Sequence, residues 1–145
     1  LESQATGSED VAIEDLAHHA TRAESWPEAA RYALEAGERA AHRSAWAEVR
    51  AFFEAAIAAL QRLPASADTA SRGIDARLRL RFVLGAASDV AQVQEHLREA
   101  DRLAEQTGDR VSLARVHISR ATALSHGGDL AQAIALGRVA LDTML

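Results

Sequence analysis

The chain of 145 residues contains no cysteine, no lysine and no asparagine, only two prolines, and 4% aromatic residues. Each shortage removes a class of answer. Without cysteine there is no disulfide framework, no thiolate metal site and no thiol nucleophile. Without lysine a phosphate-binding loop of the form GxxxxGK[ST] cannot be written, and none occurs. No run of 18 apolar residues is present to span a bilayer. A net charge of −5 argues against the broad basic face that neutralises nucleic-acid phosphates, so neither nucleic acid nor membrane is an expected partner. Arginine supplies all the Lys+Arg count of 16, a bias that fits a GC-rich bacterial genome. Leu1 in place of Met reads as a piece cut from a longer protein.

What is present is alanine and repetition. Apolar residues make up 48% of the chain, and so few are aromatic that closely approaching helices are favoured over a sandwich filled by large side chains. "SDVAQVQEHLREA" at 88–100 is echoed by "GDLAQAIALGRVA" at 128–140, and again by the stretches that begin at Ser25 and Ala45. In register, the first position holds Ser25, Ala45, Asp89 and Asp129; the next holds Trp26, Trp46, Val90 and Leu130; two further on stand Glu28, Glu48, Gln92 and Gln132. This is a helix start written four times. A Ser or Asp oxygen accepts from a first-turn N–H, and the Glu or Gln three residues later is expected to reach back to the cap's own N–H. Ala45 leaves one copy half-capped.

Apolar residues then follow at helical spacing, as in Trp46, Val49, Phe53, Ala56, Leu60 and in Val90, Val93, Leu97, Ala100, Ala104. Further helices are expected at roughly 9–24, 73–87 and 110–126, with "LPASADTASRG" as a loop. "RLRLR" at 77–81 alternates like a strand, but Ile74, Leu78 and Phe82 recur every four residues, so helix is the expectation. The copies start 20, 44 and 40 residues apart. A helix pair repeated at about 40 residues is an α-solenoid unit.

Val49, Phe53, Ala56 and Val93, Leu97, Ala100 match the second-helix pattern of tetratricopeptide repeats, whereas the first-helix Trp, Leu, Gly, Tyr pattern is mostly missing. The run "LAHHATRAESWPEAARYALEAGERAAHRSAWAEVRAFFEAAIAALQRLPASADT", continuing into "IDARLRLRFVL" and "HLREADRLAEQTGD", resembles the tetratricopeptide-like region of large bacterial signalling proteins. In these a class III adenylate or guanylate cyclase-like domain is followed by an AAA-type NTPase module and then by repeats. The likeness covers about Leu16 to Leu141. It implies an all-α fold: a solenoid of about seven antiparallel helices over 9–145, wound as a right-handed superhelix, behind a disordered or linker stretch at 1–8. It also implies a cytoplasmic, non-catalytic scaffold next to an NTPase and a cyclase-like output module. Related repeat regions follow the NTPase module of large transcriptional activators, so an effector-sensing domain is the alternative.

No residue constellation contradicts a scaffold. His18 and His19 are adjacent and point about 100° apart on a helix, unlike an i, i+4 metal pair. No HExxH and no Ser–His–Asp ordering stands out, so no catalytic, metal or cofactor residues are expected. Arg77 and Arg81 would sit one turn apart beside an apolar stripe, either lying over packed surface or offering guanidinium forks to an acidic partner. Arg115, Ser119, Thr122 and His126 form a polar strip opposite Val111, Ala114, Ile118 and Ala121. That strip is either a solvated face or the concave face on which a protein or peptide partner, or a neighbouring domain, docks. At the chain's end, "VALDTML" carries no polar cap, so Leu141, Met144 and Leu145 are expected to form a homodimer through the last helix.

Overall fold

The computed structural model describes residues 2–86 and 89–145. Those residues form seven α-helices and no strand: α1 (Glu2–Arg22), α2 (Trp26–His42), α3 (Trp46–Leu60), α4 (Ala67–Ala86), α5 (Val90–Thr107), α6 (Arg110–His126) and α7 (Leu130–Met144). The fold is all-α, and "RLRLR" lies inside α4. Two helices begin earlier than expected. α1 takes in residues 2–8, the stretch read as linker. Residue 1 of that stretch, and residue 87 of the expected 73–87 helix, lie outside the described residues.

α4 starts at 67 rather than 73 because the loop contains its own start signal. The Ser66 hydroxyl oxygen accepts from the Thr69 amide at 3.1 Å and the Thr69 hydroxyl oxygen accepts from the Ser66 amide at 3.0 Å. This is a reciprocal capping box with threonine in the place usually held by Glu or Gln.

The four repeated starts share one turn. Ser25, Ala45, Asp89 and Asp129 have φ from −90° to −82° and ψ from 68° to 75°. Each donates its amide to the carbonyl five residues back, on Ala20, Ala40, Leu84 and Leu124 respectively, at 2.9 to 3.0 Å. That bond corrects the expected capping box. The cap's N–H is already taken by the preceding helix rather than left for the residue three further on. The forward half of the box holds only for aspartate: Asp89 accepts from the Gln92 amide at 3.4 Å and Asp129 from the Gln132 amide at 3.2 Å. Ser25 instead donates to the Glu28 carboxylate and makes no cap bond. Closing the turn requires a left-handed residue before the cap, supplied by Glu24, Ser44 and Gly128 with φ of 54°, 57° and 88°.

The chain divides at Ala65/Ser66 into two compact units. In unit 1, α1 and α3 both pack on α2. Small residues on α2 (Ala29, Ala30, Ala33, Ala36) are wholly or almost wholly buried and let the larger Ile13, Phe52 and Leu60 close over them. Gly37 serves the same end, since a Cβ there would lie 3.0 Å from the ring of Phe53. Outside this core Arg43 ties three helices together through Asp10, Glu14 and Glu48, and Arg39 adds Asp10 and Glu35.

In unit 2 the helices pack in chain order, with α4 also touching α6. Ile74, Leu80, Leu84, Leu97 and Val116 are its fully buried large side chains. The residues just after the caps do not join a core as their spacing suggested. Trp46, Val90 and Leu130 are exposed, and only Trp26 packs against buried neighbours, with Arg62 over its ring at 5.2 Å.

Candidate groove in the second unit

α4, α5 and α6 enclose a groove of about 500 Å³, within the usual range for small-molecule sites. Arg81, Phe82 and Gly85 form the α4 wall, and Val90 and Val93 the α5 wall with Gln94. Thr122 and His126 reach in from the end of α6. The Arg81 guanidinium carbon sits 4.2 Å from the centre of the Phe82 ring, a cation–π arrangement that also orients the guanidinium. Its Nε is buried without a hydrogen-bond partner. Burial pushes this arginine below its ordinary pKa, and no neighbouring charge offsets the shift.

Three of the candidate residues read from the sequence therefore converge: Arg81, Thr122 and His126. The others go elsewhere. Arg77 is 4% exposed and donates to the Gly73 carbonyl of its own helix at 3.2 Å, so it presents no fork to a partner. Burial lowers its pKa, with Glu99 acting in the opposite direction. Arg115 is paired with Asp75 of α4 at 2.8 Å. Ser119 is half-buried outside the groove. Leu141, Met144 and Leu145 are exposed on α7, where Leu130, Ile134 and Leu141 continue one stripe at i, i+4 and i+11.

The face assigned to α6 needs correction. Val111 and Ile118, expected inside, are 69% and 48% exposed, whereas Ser112, Val116 and His117 are buried with Ala114. Apolar residues are scattered around this helix, and its orientation is decided by polar contacts that periodicity does not weigh. Asp109 caps it, accepting from the Val111 amide at 3.1 Å and from the Ser112 hydroxyl. One turn further, His117 Nε2 stands 3.2 Å from an Asp101 oxygen of α5, and Arg120 donates to the other. This cluster of buried His117 with partly buried Asp101 and Arg120 was missed in the sequence, because no spacing rule joins residues on different helices. The only signal was a buried-face histidine in a helix lacking a clean apolar stripe.

Among the described residues no group of three His, Asp or Glu side chains could hold a metal ion. None of their helices is long and apolar enough to cross a membrane. Comparison with family models and with curated proteins finds no match to this chain.

Proposed function

We propose that the chain is a non-catalytic helical-repeat scaffold of the tetratricopeptide-like kind. In this reading it works in the bacterial cytoplasm, where it holds a protein, a peptide or neighbouring domains of a longer signalling chain and so regulates an attached NTPase and a cyclase-like output module. The observation that supports it best is the combination of one repeated helix-hairpin turn with apolar side chains left in water. Val111 and Ile118 on α6, and Leu130, Ile134, Leu141 and Met144 on α7, are all exposed. Exposed apolar side chains grouped on neighbouring helices are the usual make-up of interaction faces, and the α7 stripe is the proposed site of self-association. The test is titration of the chain with the purified domains encoded beside it, with sedimentation equilibrium of the chain alone. Binding or dimerisation weakened by Ile134→Glu and Leu141→Glu is expected. A chain that stays monomeric and binds neither domain, or that turns over ATP or GTP, overturns the reading.

A second reading, an effector-sensing domain of a transcriptional regulator, is favoured by the groove itself. Its walls are largely apolar with a few converging polar groups, the usual make-up of a small-molecule site.

A further inference from the structure

We infer that the groove between α4, α5 and α6 binds a monocarboxylate on an unbranched apolar chain, with the carboxylate on the Arg81 guanidinium and the chain along Phe82, Val90 and Val93. This rests on the effector reading above and names the chemistry of the effector.

The argument starts from the missing counter-charge. Among the described residues eight arginines hold an acid within 4 Å: Arg39, Arg43, Arg50, Arg72, Arg98, Arg102, Arg115 and Arg120. Arg81 holds none among the described residues, and no acidic side chain lines the groove. Its Nε is buried without a partner and out of reach of a ligand, so a carboxylate in the groove would meet the terminal N–H groups of the guanidinium. The Phe82 ring lies 4.2 Å from the guanidinium carbon and restrains the side chain by a cation–π contact, and a guanidinium carries the N–H fork that a carboxylate accepts bidentately.

The surroundings decide between anions. One arginine amid largely apolar walls balances one negative charge, whereas a phosphate dianion would bring a second charge for which the groove offers only the Gln94 amide, the Thr122 hydroxyl and the His126 imidazole. Thr122 adds little competition, since its hydroxyl already donates to the Ile118 carbonyl at 2.9 Å. The remaining length of wall is hydrocarbon and aromatic, which suits an alkyl chain.

The experiment is an amide-resolved NMR titration of the whole chain with decanoate, 1-decanol and decyltrimethylammonium, each below its micelle concentration. Decanoate is expected to move amides around Arg81, Val93 and Thr122 saturably and to bind about tenfold or more tighter than the alcohol. Arg81→Gln should abolish that preference and leave decanol binding unchanged. Gly85→Phe tests the place independently of charge. A Cβ on Gly85 meets no atom within 4 Å, so the side chain starts from open space beside the groove. This variant should keep its helix content by circular dichroism and lose both ligands. Equal binding of alcohol and carboxylate, preference for the ammonium, or a carboxylate preference that survives Arg81→Gln overturns the inference while leaving an effector groove standing. Shifts confined to other surfaces, or no saturable binding by any of the three, overturn both.

Discussion

The two units are built from the same hairpin turn and differ in what they leave unsatisfied. In unit 1 the charges are paired, with Arg39 and Arg43 sharing Asp10 across helices. Its alanine-lined α2 is closed over by Ile13, Phe52 and Leu60. Unit 2 has ion pairs of its own, Arg115 with Asp75 and Arg120 with Asp101 among them, but leaves more unsatisfied. The buried side-chain nitrogens without a hydrogen-bond partner among the described residues all lie there, on Arg72, Arg77, Arg81 and His117. So do ten of the thirteen exposed large apolar side chains. Buried polar groups without partners and apolar groups without cover both cost free energy, and selection for stability alone would remove them. The unsatisfied groups of the described residues are therefore concentrated in the second unit.

The sharpest way to break this comparison is at the core of unit 1. Phe53 is 2% exposed, and Phe53→Ala should cost about 3–5 kcal/mol, read as a lower denaturant midpoint. A loss under about 1 kcal/mol would mean that unit 1 is not the well-packed half.

Glycine gives the next largest contrast. A methyl at Gly37 would crowd the Phe53 ring, whereas one at Gly137 meets nothing within 4 Å. Gly37→Ala should therefore destabilise by about 1–2 kcal/mol, with overpacking outweighing the gain in helix propensity. Gly137→Ala should stabilise by about 0.5–1 kcal/mol. Thermal unfolding of the two variants should move in opposite directions.

Caps come third. Asp89→Ala and Asp129→Ala should each cost about 0.5–2 kcal/mol, and Ser25→Ala close to nothing, because its hydroxyl makes no cap bond. Ala45 has the same backbone as the aspartate caps, so Ala45→Asp should gain up to about 1 kcal/mol. Stabilisation by Ala45→Asp that equals the loss at Asp129 would show that one turn geometry governs both units.

The smallest effect is electrostatic. Burial raises the Asp10 carboxyl, but hydrogen bonds from Arg43 and Arg39 outweigh it and hold the group below the usual aspartate range. A carboxylate lowered in the folded state adds stability that is complete above its unfolded value, about 3.9, and is lost as pH falls through the folded value. Unit 1 should therefore weaken below about pH 4. Arg43→Gln should shrink that acid-dependent loss, and added salt should shrink it in the parent chain. Urea midpoints at pH 7 and pH 3 measure it.

Most of the architecture was legible because helix period and start signals are local. The four copies placed α2, α3, α5 and α7 to within a residue of their starts, and the apolar repeat at Ile74 and Leu78 chose helix for "RLRLR". What failed was one unusual local start and what is decided between helices. Ser66 and Thr69 were read as loop because threonine is an unusual partner in a capping box. α6 was turned the wrong way because Asp101 on another helix draws His117 and Arg120 toward it. The groove was half legible: Arg81, Thr122 and His126 were chosen on two different helices, but nothing in one dimension shows that they meet.

The shared turn is closed by an amide and a carbonyl, at Ser25 as at Ala45, Asp89 and Asp129. A junction made of backbone demands no matching pair of side chains. A length of gene that begins and ends at such turns can be copied in tandem, and the new seam closes as the old ones do, with only a left-handed residue required before it. "SDVAQVQEHLREA" and "GDLAQAIALGRVA", forty residues apart, are spaced as such a copy would be. The same property makes the number of hairpins an easy quantity to change, by inheritance or by design.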